Sequence, residues 1–387
     1  MPRTIYFDYN ATTPLDPAVR AAMMPLLEDI WGNPSSVHHL GRRARAFLDD
    51  GRDQAAELLG TKPSELIFTS GGTESNNLAI FGAARALQAK GKHLITSAIE
   101  HHAVLNAFDQ LEKFEGFSVT RLPVDSKGRV SVDDVRKAIC PDTILVSIMA
   151  ANNEIGTLQP VAEVGALCRD KGVIFHSDAV QWFGKEPVTG LDQFNADLIS
   201  ICAHKFHGPK GAGLLYIRSP LHLRPLIVGG GQENETRGGT ETVASIIGLV
   251  EALNRFVPAP VFDAAHLLPL KDRLCSFIAS LPGCELVSPK DNCLVNTVSF
   301  VVSGADNFSL LAGLDVEGIC ASSGSACSAG SLEPSHVVAA LGKSALANSL
   351  VRFSLGRFSS LEEVASVCEL LPVVIRRAQL GGQVGNK

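Results

Sequence analysis

The sequence predicts an α/β protein with a mostly parallel central sheet flanked by helices, followed by a smaller α+β unit. Three observations carry this reading. Short apolar, β-rich runs alternate with helix-length segments up to about residue 255. The stretch "RFVPAPVFDAAH" (255–266), with its two prolines, breaks that rhythm and marks a domain border. Beyond it the order changes to helix, strand, loop, strand and helix.

The strands are "ELIFTS" (65–70), "KHLITS" (92–97), "FSVTRLP" (117–123), "TILVSIMA" (143–150), "VIFHSD" (173–178), "DLISICA" (197–203) and "GLLYIR" (213–218). Between several of them lie "ESNNLAIFGAARALQAKG", "VSVDDVRKAI" and "VAEVGALCRDKG", each of helical length and pattern. Right-handed crossovers would then bring the strand ends to one edge, where α/β sheets bind ligands. In the second unit, the helix "LLPLKDRLCSFIASL" precedes the β-like "NTVSFVV". The strand-like "LVRFSLG" and the closing helix "SLEEVASVCELLPVVIRRAQ" follow, and the tail "LGGQVGNK" is expected to be loose.

With 387 residues, 45% hydrophobic and 19% charged, the chain has enough apolar content for a large core. The net charge of −6, without a lysine–arginine block, gives no nucleic-acid surface. The longest apolar runs are too short to cross a bilayer. "MPRTIYFDYNATTP" has neither a secretory nor a transit pattern, and the nine cysteines include no CxxC pair. Both features point to a reducing cytoplasm rather than a disulfide framework.

Three stretches hold candidate chemistry. In "TSGGTESNN" (69–77), Gly71 and Gly72 sit between a strand and a helix, where backbone N–H groups cradle an anion, and Thr73 adds a hydroxyl. An ordinary strand–helix turn looks the same. In "FHSDAVQ" (175–181), Asp178 ends an apolar strand, as a helix cap also would. In "CAHKFHGPKGAG" (202–213), Lys205 follows a strand directly, between His204 and His207, a setting suited to a Schiff-base lysine; a surface turn is the plain alternative. Cradle, carboxylate and lysine together are the parts that hold pyridoxal 5'-phosphate: one for the phosphate, one for the pyridinium nitrogen and one for the carbonyl carbon. No GxGxxG follows the first strand, which argues against a nicotinamide cofactor. His101 in "EHHAV" could stack on the ring, or be one of a surface pair. Arg352, inside the apolar "VRFSLG", needs a partner: a substrate carboxylate or an edge salt bridge. Finally, "SSGSACSAGSLEPSHV" (322–337) surrounds Cys327 with small residues, which suits a thiol that must move rather than pack.

In order along nearly the whole chain, "YFDYNATTPLDP", "WGNPSSVHHLG", "SGGTESNN", "EHHAV", "ANNEIGTLQP", "HSDAVQ", "AHKFHGPKGAG", "GGGQE…TRGGTE", "SSGSACSAGSLEPSHV" and "VRFSLGRF" resemble the cysteine desulfurases. These are class V aminotransferases of the nitrogenase-cofactor and iron–sulfur-cluster assembly type, and the cysteine loop resembles the long-loop group I. The resemblance implies an aspartate-aminotransferase-like fold. It implies a large cofactor-binding domain over 15–258, and a small domain made of 1–14 and 259–387 that carries the cysteine loop (about 320–334). It further implies a homodimer that turns L-cysteine into L-alanine and passes sulfur to protein acceptors such as an iron–sulfur scaffold.

Residue by residue, the resemblance implies Lys205 as Schiff-base lysine and proton carrier. Asp178 would contact the ring nitrogen, Gln181 the ring hydroxyl, and His101 the ring face as acid or base. Gly72, Thr73 and His204 would hold phosphate, with Thr240 reaching the phosphate of the other subunit. Asn153 and Arg352 would meet the substrate, and Cys327 would be the nucleophile. No metal is implied. Two departures stand out. Cys202 occupies a place where the family often has serine, and Asn234 follows Gln232–Glu233 where the family has arginine. The first is expected to weaken phosphate binding, since a thiol is the poorer donor. Selenocysteine lyase, and a catalytically dead sulfur-relay scaffold, are the alternatives at this level.

Overall fold

The computed structural model describes residues 4–324 and 333–384, with side chains as far as Leu380. The chain opens with strand β1 (Ile5–Tyr6). Helix α1 (Pro17–Glu28) follows, capped by Asp16, which accepts the Ala18 N–H at 2.8 Å, with Pro17 at the first helical position. Helix α2 (His39–Leu59) ends at Gly60, which takes the left-handed conformation that a side chain would resist. Then come β2 (Leu66–Thr69), α3 (Gly72–Leu87), β3 (His93–Ser97), α4 (His102–Phe114), β4 (Ser118–Leu122) and α5 (Val132–Ala138). The run continues through β5 (Thr143–Ser147), α6 (Val161–Lys171), β6 (Ile174–Asp178), β7 (Leu198–Cys202) and β8 (Gly213–Ile217).

The seven strands β2 to β8 are the seven read from the sequence, in the order β2-β8-β7-β6-β5-β3-β4. Only β8 runs against its neighbours; all other pairs are parallel. Because β8 opposes both β2 and β7, β2 still points the same way as the rest. The C-terminal ends of β2, β3, β5, β6 and β7 therefore open on one edge. Side chains alternate between two layers. Phe68, Ile95, Val146, Ile199 and Leu214 face one apolar cluster, and their neighbours Ile67, Leu94, Leu145, Leu198 and Leu215 face another.

After α7 (Val243–Phe256) come α8 (Ala264–Ser280), β9 (Cys284–Leu286), β10 (Thr297–Val302), α9 (Asn307–Val316), β11 (Ile319–Cys320), α10 (His336–Ala340), β12 (Leu350–Ser354) and α11 (Leu361–Val384). Strands β12, β10 and β9 form a second, antiparallel sheet, and β1 pairs in parallel with β11. A separate apolar cluster gathers here, and the chain's first residues join it through Ile5, Phe7 and Tyr9. Val261, in the proline-bearing break, packs against both this cluster and the main one. Helix α11 runs on to Val384, so the first part of the tail is helical where the sequence suggested a loose end. Val374, Ile375 and Ala378 bury one face of it in the second core, and the helix continues past them.

Candidate active site

Five strand ends deliver one cavity of about 140 Å³. It is lined by Gly72, Thr73 and Asn76 after β2, His101 after β3, and Met149 and Asn153 after β5. Asp178, Val180 and Gln181 come from the end of β6; Cys202, His204 and Lys205 from the end of β7. Asn10 and Ala11 from the N-terminal segment, and Arg352 from β12, close it.

Each side chain is held by its local fold. The cradle helix α3 starts at Gly72 behind Gly71, and Gly71 has no side chain to cap it; the Gly72 N–H meets the Cys202 sulfur, and the N–H groups that follow it are open to a ligand. A Cβ on Gly72 would stand 2.8 Å from Val180 Cγ2. Glu74, in the first turn, is turned aside: it accepts the Ser70 N–H at 2.9 Å and pairs with Arg237 at 2.8 Å. Asp178 is buried and takes the Asn76 amide at 2.6 Å and the Val180 N–H at 3.0 Å. Burial pushes its pKa above the usual carboxylate range, against those two hydrogen bonds and the charge of Lys205. Lys205 Nζ donates to the carbonyls of Asn10 at 2.8 Å and Ala11 at 2.9 Å.

His101 is the N-cap of α4, its Nδ1 accepting the Ala103 N–H at 3.1 Å. That leaves the proton of the neutral ring on Nε2. Burial, with Lys205, His102 and His336 nearby, pushes its pKa down to about 4, so the ring is neutral at pH 7. His204 behaves alike: its Nδ1 lies 3.1 Å from the Thr12 hydroxyl, and burial with Lys205 takes it to about 4.

Arg352 is almost fully buried and has partners in the chain itself. It pairs with Asp8 at 2.8 Å and donates to the carbonyls of Asn153 at 2.8 Å and Gly324 at 2.6 Å. The salt bridge offered as the plain alternative therefore exists, and the guanidinium still lines the cavity. Thr240 is exposed and is not among the residues lining this cavity. Asn234 is exposed too, at a left-handed φ of 54° that asparagine tolerates better than arginine. Cys327 lies outside the described residues.

Four residues were not singled out by sequence reasoning. Asn10 and Asn76 bind the lysine and the carboxylate just described. Glu100, behind His101, is fully buried, takes the Ser97 hydroxyl at 2.5 Å and the Met149 N–H at 3.0 Å, and is pushed up to about 8 by burial. Lys185 is a second buried lysine. Glu100 and Asn10 sit within quoted motifs, and that was the available signal. Lys185 had none beyond the turn glycine before it.

Comparison with known proteins agrees with this geometry. The model of the family "Aminotransferase class-V" matches residues 5–367. A cysteine desulfurase IscS of Dictyoglomus turgidum is 46% identical over 379 residues, covering 97% of this chain and 96% of that protein. The chain belongs to the cysteine desulfurases of the class-V aminotransferase family. Among solved structures, a NifS-like protein superposes with a TM-score of 0.90 at 37% identity, over 97% of this chain and all of that one. SspA, solved in complex with cysteine, matches with a TM-score of 0.80 at 38% identity, over 92% of this chain and all of that one.

Cysteine desulfurases depend on pyridoxal phosphate, and the residues present fit it. Asp178 is a buried carboxylate hydrogen-bonded by neutral donors, the setting for a cationic ring N–H. The uncapped start of α3 suits a phosphate, and Lys205 lies in the same cavity. The selenocysteine and scaffold alternatives draw no support from these relatives.

Proposed function

We propose that this protein is a pyridoxal-phosphate-dependent cysteine desulfurase that converts L-cysteine to L-alanine, with the sulfur first held as a persulfide on Cys327. The observation that carries this is the meeting, in one cavity, of Lys205, the buried Asp178 carboxylate and the uncapped helix α3. When bound, pyridoxal phosphate supplies a carbonyl for the substrate amine and an electron-accepting ring.

The rest falls to the chain. Asp178, buried beside Asn76, holds a proton on the ring nitrogen. Gly72 and Thr73, with His204, bind the phosphate. Lys205 Nζ anchors the cofactor and moves the substrate's α-proton. His101, neutral with its proton on Nε2, covers the ring and exchanges a proton at that nitrogen. Asn153 and Arg352 orient the substrate. The thiolate of Cys327 attacks the substrate sulfur; the carbon–sulfur bond breaks, a sulfur–sulfur bond forms, and alanine leaves with the proton in place of sulfur. Cys327 follows Gly324 by three residues in the sequence, and Gly324 rests on Arg352 at the cavity.

The persulfide then serves protein acceptors, an iron–sulfur scaffold among them, in a cytoplasmic homodimer whose Thr240 completes the partner's phosphate site. No helix among the described residues is long and apolar enough to cross a membrane. The large domain spans 15–258, and the small one 1–14 with 259–387; the separate apolar clusters support that division.

Mass spectrometry after exposure to cysteine tests the reaction. The Cys327 peptide gains one sulfur that reductant removes, and Cys327→Ser gains none and loses turnover while keeping the bound cofactor. Turnover at the normal rate in Cys327→Ser would overturn the nucleophile. Borohydride fixes the cofactor on Lys205, and Lys205→Ala abolishes that product.

A further inference from the structure

Between Asp178 and the turn that follows it, the chain doubles back on itself. Trp182 N–H bonds to Ala179, and the N–H groups of Lys185 and Glu186 both bond to Trp182, so residues 179–186 coil tightly. Gly184 stands at φ 73°, where a Cβ would strike Phe206 at 2.4 Å. Only glycine lets this turn lie against the residue after Lys205. The consequence is that Lys185, four residues after Gln181, is carried inward. It is 3% exposed, with its ammonium 5.2 Å from the centre of the Phe262 ring.

Inside, Lys185 Nζ donates to Asn10 Oδ1 at 2.9 Å and to Gln181 Oε1. Gln181 Nε2 in turn donates to the Asn10 carbonyl at 3.0 Å, the same carbonyl that Lys205 Nζ meets at 2.8 Å. The Asn10 carbonyl only accepts, so the Gln181 end that faces it is the NH₂, and the oxygen is the end that meets Lys185 Nζ. The second N–H is what the amide has left for the cavity that Gln181 lines.

Other charges near Lys185 are Lys205 and Arg352, which oppose its protonation, and Glu186, which favours it; burial is the largest influence and also opposes it. A buried lysine in such company is costly to keep unless its hydrogen bonds do something that an apolar residue could not.

We propose that Lys185 is a positioning residue that fixes the orientation of the Gln181 amide, so that the cofactor ring oxygen meets an N–H donor and never a carbonyl. The proposal rests on pyridoxal phosphate being the cofactor and on its ring hydroxyl lying at Gln181, as the family resemblance implies. A donor at that oxygen stabilises its ionised form and draws charge from it. The protonated state of the neighbouring nitrogen on Lys205 is then less favoured than it would be beside an unopposed oxyanion. Without Lys185, only the Asn10 carbonyl still opposes the reversed amide, so the fraction that presents its own oxygen to the cavity rises.

The test is a pH titration of the visible absorption band of the cofactor-loaded protein, carried through a double-mutant cycle. Lys185→Met should raise the midpoint by roughly half to one pH unit, about the worth of one hydrogen bond. Gln181→Met should raise it similarly. The double variant should titrate like Gln181→Met alone, because Lys185 acts through that amide. Equal, additive shifts in both backgrounds would mean that Lys185 acts by charge or general packing, and would overturn the assignment.

Should Lys185→Met not fold, Lys185→Gln decides in its place. It keeps an N–H donor without the charge, and a midpoint close to that of the unmodified protein supports the proposal. A rise as large as that of Gln181→Met overturns it. Failure of the unmodified protein to take up pyridoxal phosphate would sink the functional reading itself. A normal band with additive shifts sinks only the role of Lys185.

Discussion

Cys202 ends β7 with its sulfur beside the start of α3, where a Cβ on Gly71 would lie 3.8 Å from it. Burial pushes its thiol pKa up, so at pH 7 it is a weak S–H donor next to the proposed phosphate cradle, with only the Ala212 carbonyl, at 3.9 Å, to accept it among the described residues. A hydroxyl there would donate better. Cys202→Ser should therefore tighten pyridoxal phosphate binding by roughly fivefold, the worth of about 1 kcal/mol. Titration of the cofactor-free protein followed by absorbance reads this, and an unchanged or weaker affinity would refute it. The side chains legible from sequence share a reason. Asp178, Cys202 and Lys205 end or directly follow apolar strands, and a parallel sheet sends such ends to one edge. Lys185 and Asn10 were not legible because their burial is made by distant chain: Phe262, Thr297 and Asn296 reach them from the second unit. Arg352 lay in between. Its cost when unpaired was plain from an apolar strand, but its partner Asp8, 344 residues away, was not.

Helix α3 works as an anion site only if its own acid stays out of the cradle. Glu74 lies in its first turn and would otherwise set a negative charge there. Arg237 holds it, at 2.8 Å through Nε and 3.4 Å through a second nitrogen, both groups being mostly buried. Arg237→Ala should free that carboxylate to compete with phosphate, weakening cofactor binding by about tenfold. Glu74→Gln in the same chain should restore most of the loss. If Arg237→Ala binds cofactor normally, or Glu74→Gln restores nothing, the screening role is wrong. The strands themselves were readable as apolar runs, because strands buried on both faces have no polar side to interrupt them. The reversal of β8 was not, since "GLLYI" has the same apolar character in either direction. The link from Cys202 to Gly213 holds only a short turn at Ala203–Lys205, too little for a crossover helix, and this forces the antiparallel return.

Several titratable groups are buried in the fold, and these make stability depend on pH in opposing ways. Burial lowers His176 to about 3, and His101, His204 and His207 to about 4, from an ordinary 6.5. Below pH 6.5 the unfolded chain takes up protons at these sites that the folded one refuses. Their contribution is therefore complete above 6.5 and is lost as pH falls toward 4 and 3. Glu100 and Glu186 act in reverse. Burial raises them to about 8 and about 7 from an ordinary 4.5, so the folded chain keeps protons that the unfolded one has released. What they contribute is complete below 4.5 and is lost as pH rises to 7 and 8. Each such group, where only one state holds the proton, gives a slope of about 1.4 kcal/mol per pH unit at most. The histidines outnumber the two acids below 6.5 and fall silent above it, so stability climbs toward pH 6.5. Beyond it the two acids lower stability, while Lys185, which burial holds well below its ordinary range, works against them. Urea unfolding of the cofactor-free protein should show a midpoint that rises from pH 4 to pH 6.5. Any decline toward pH 8 should be shallower in Glu100→Gln, which has no proton to lose, and the climb between pH 4.5 and 6.5 should be steeper, because Glu100 opposes it there. A variant that declines as steeply as the unmodified protein between pH 6.5 and 8 would show that Glu100 ionises without cost, and that its burial behind His101 is not the low-dielectric setting its surroundings indicate.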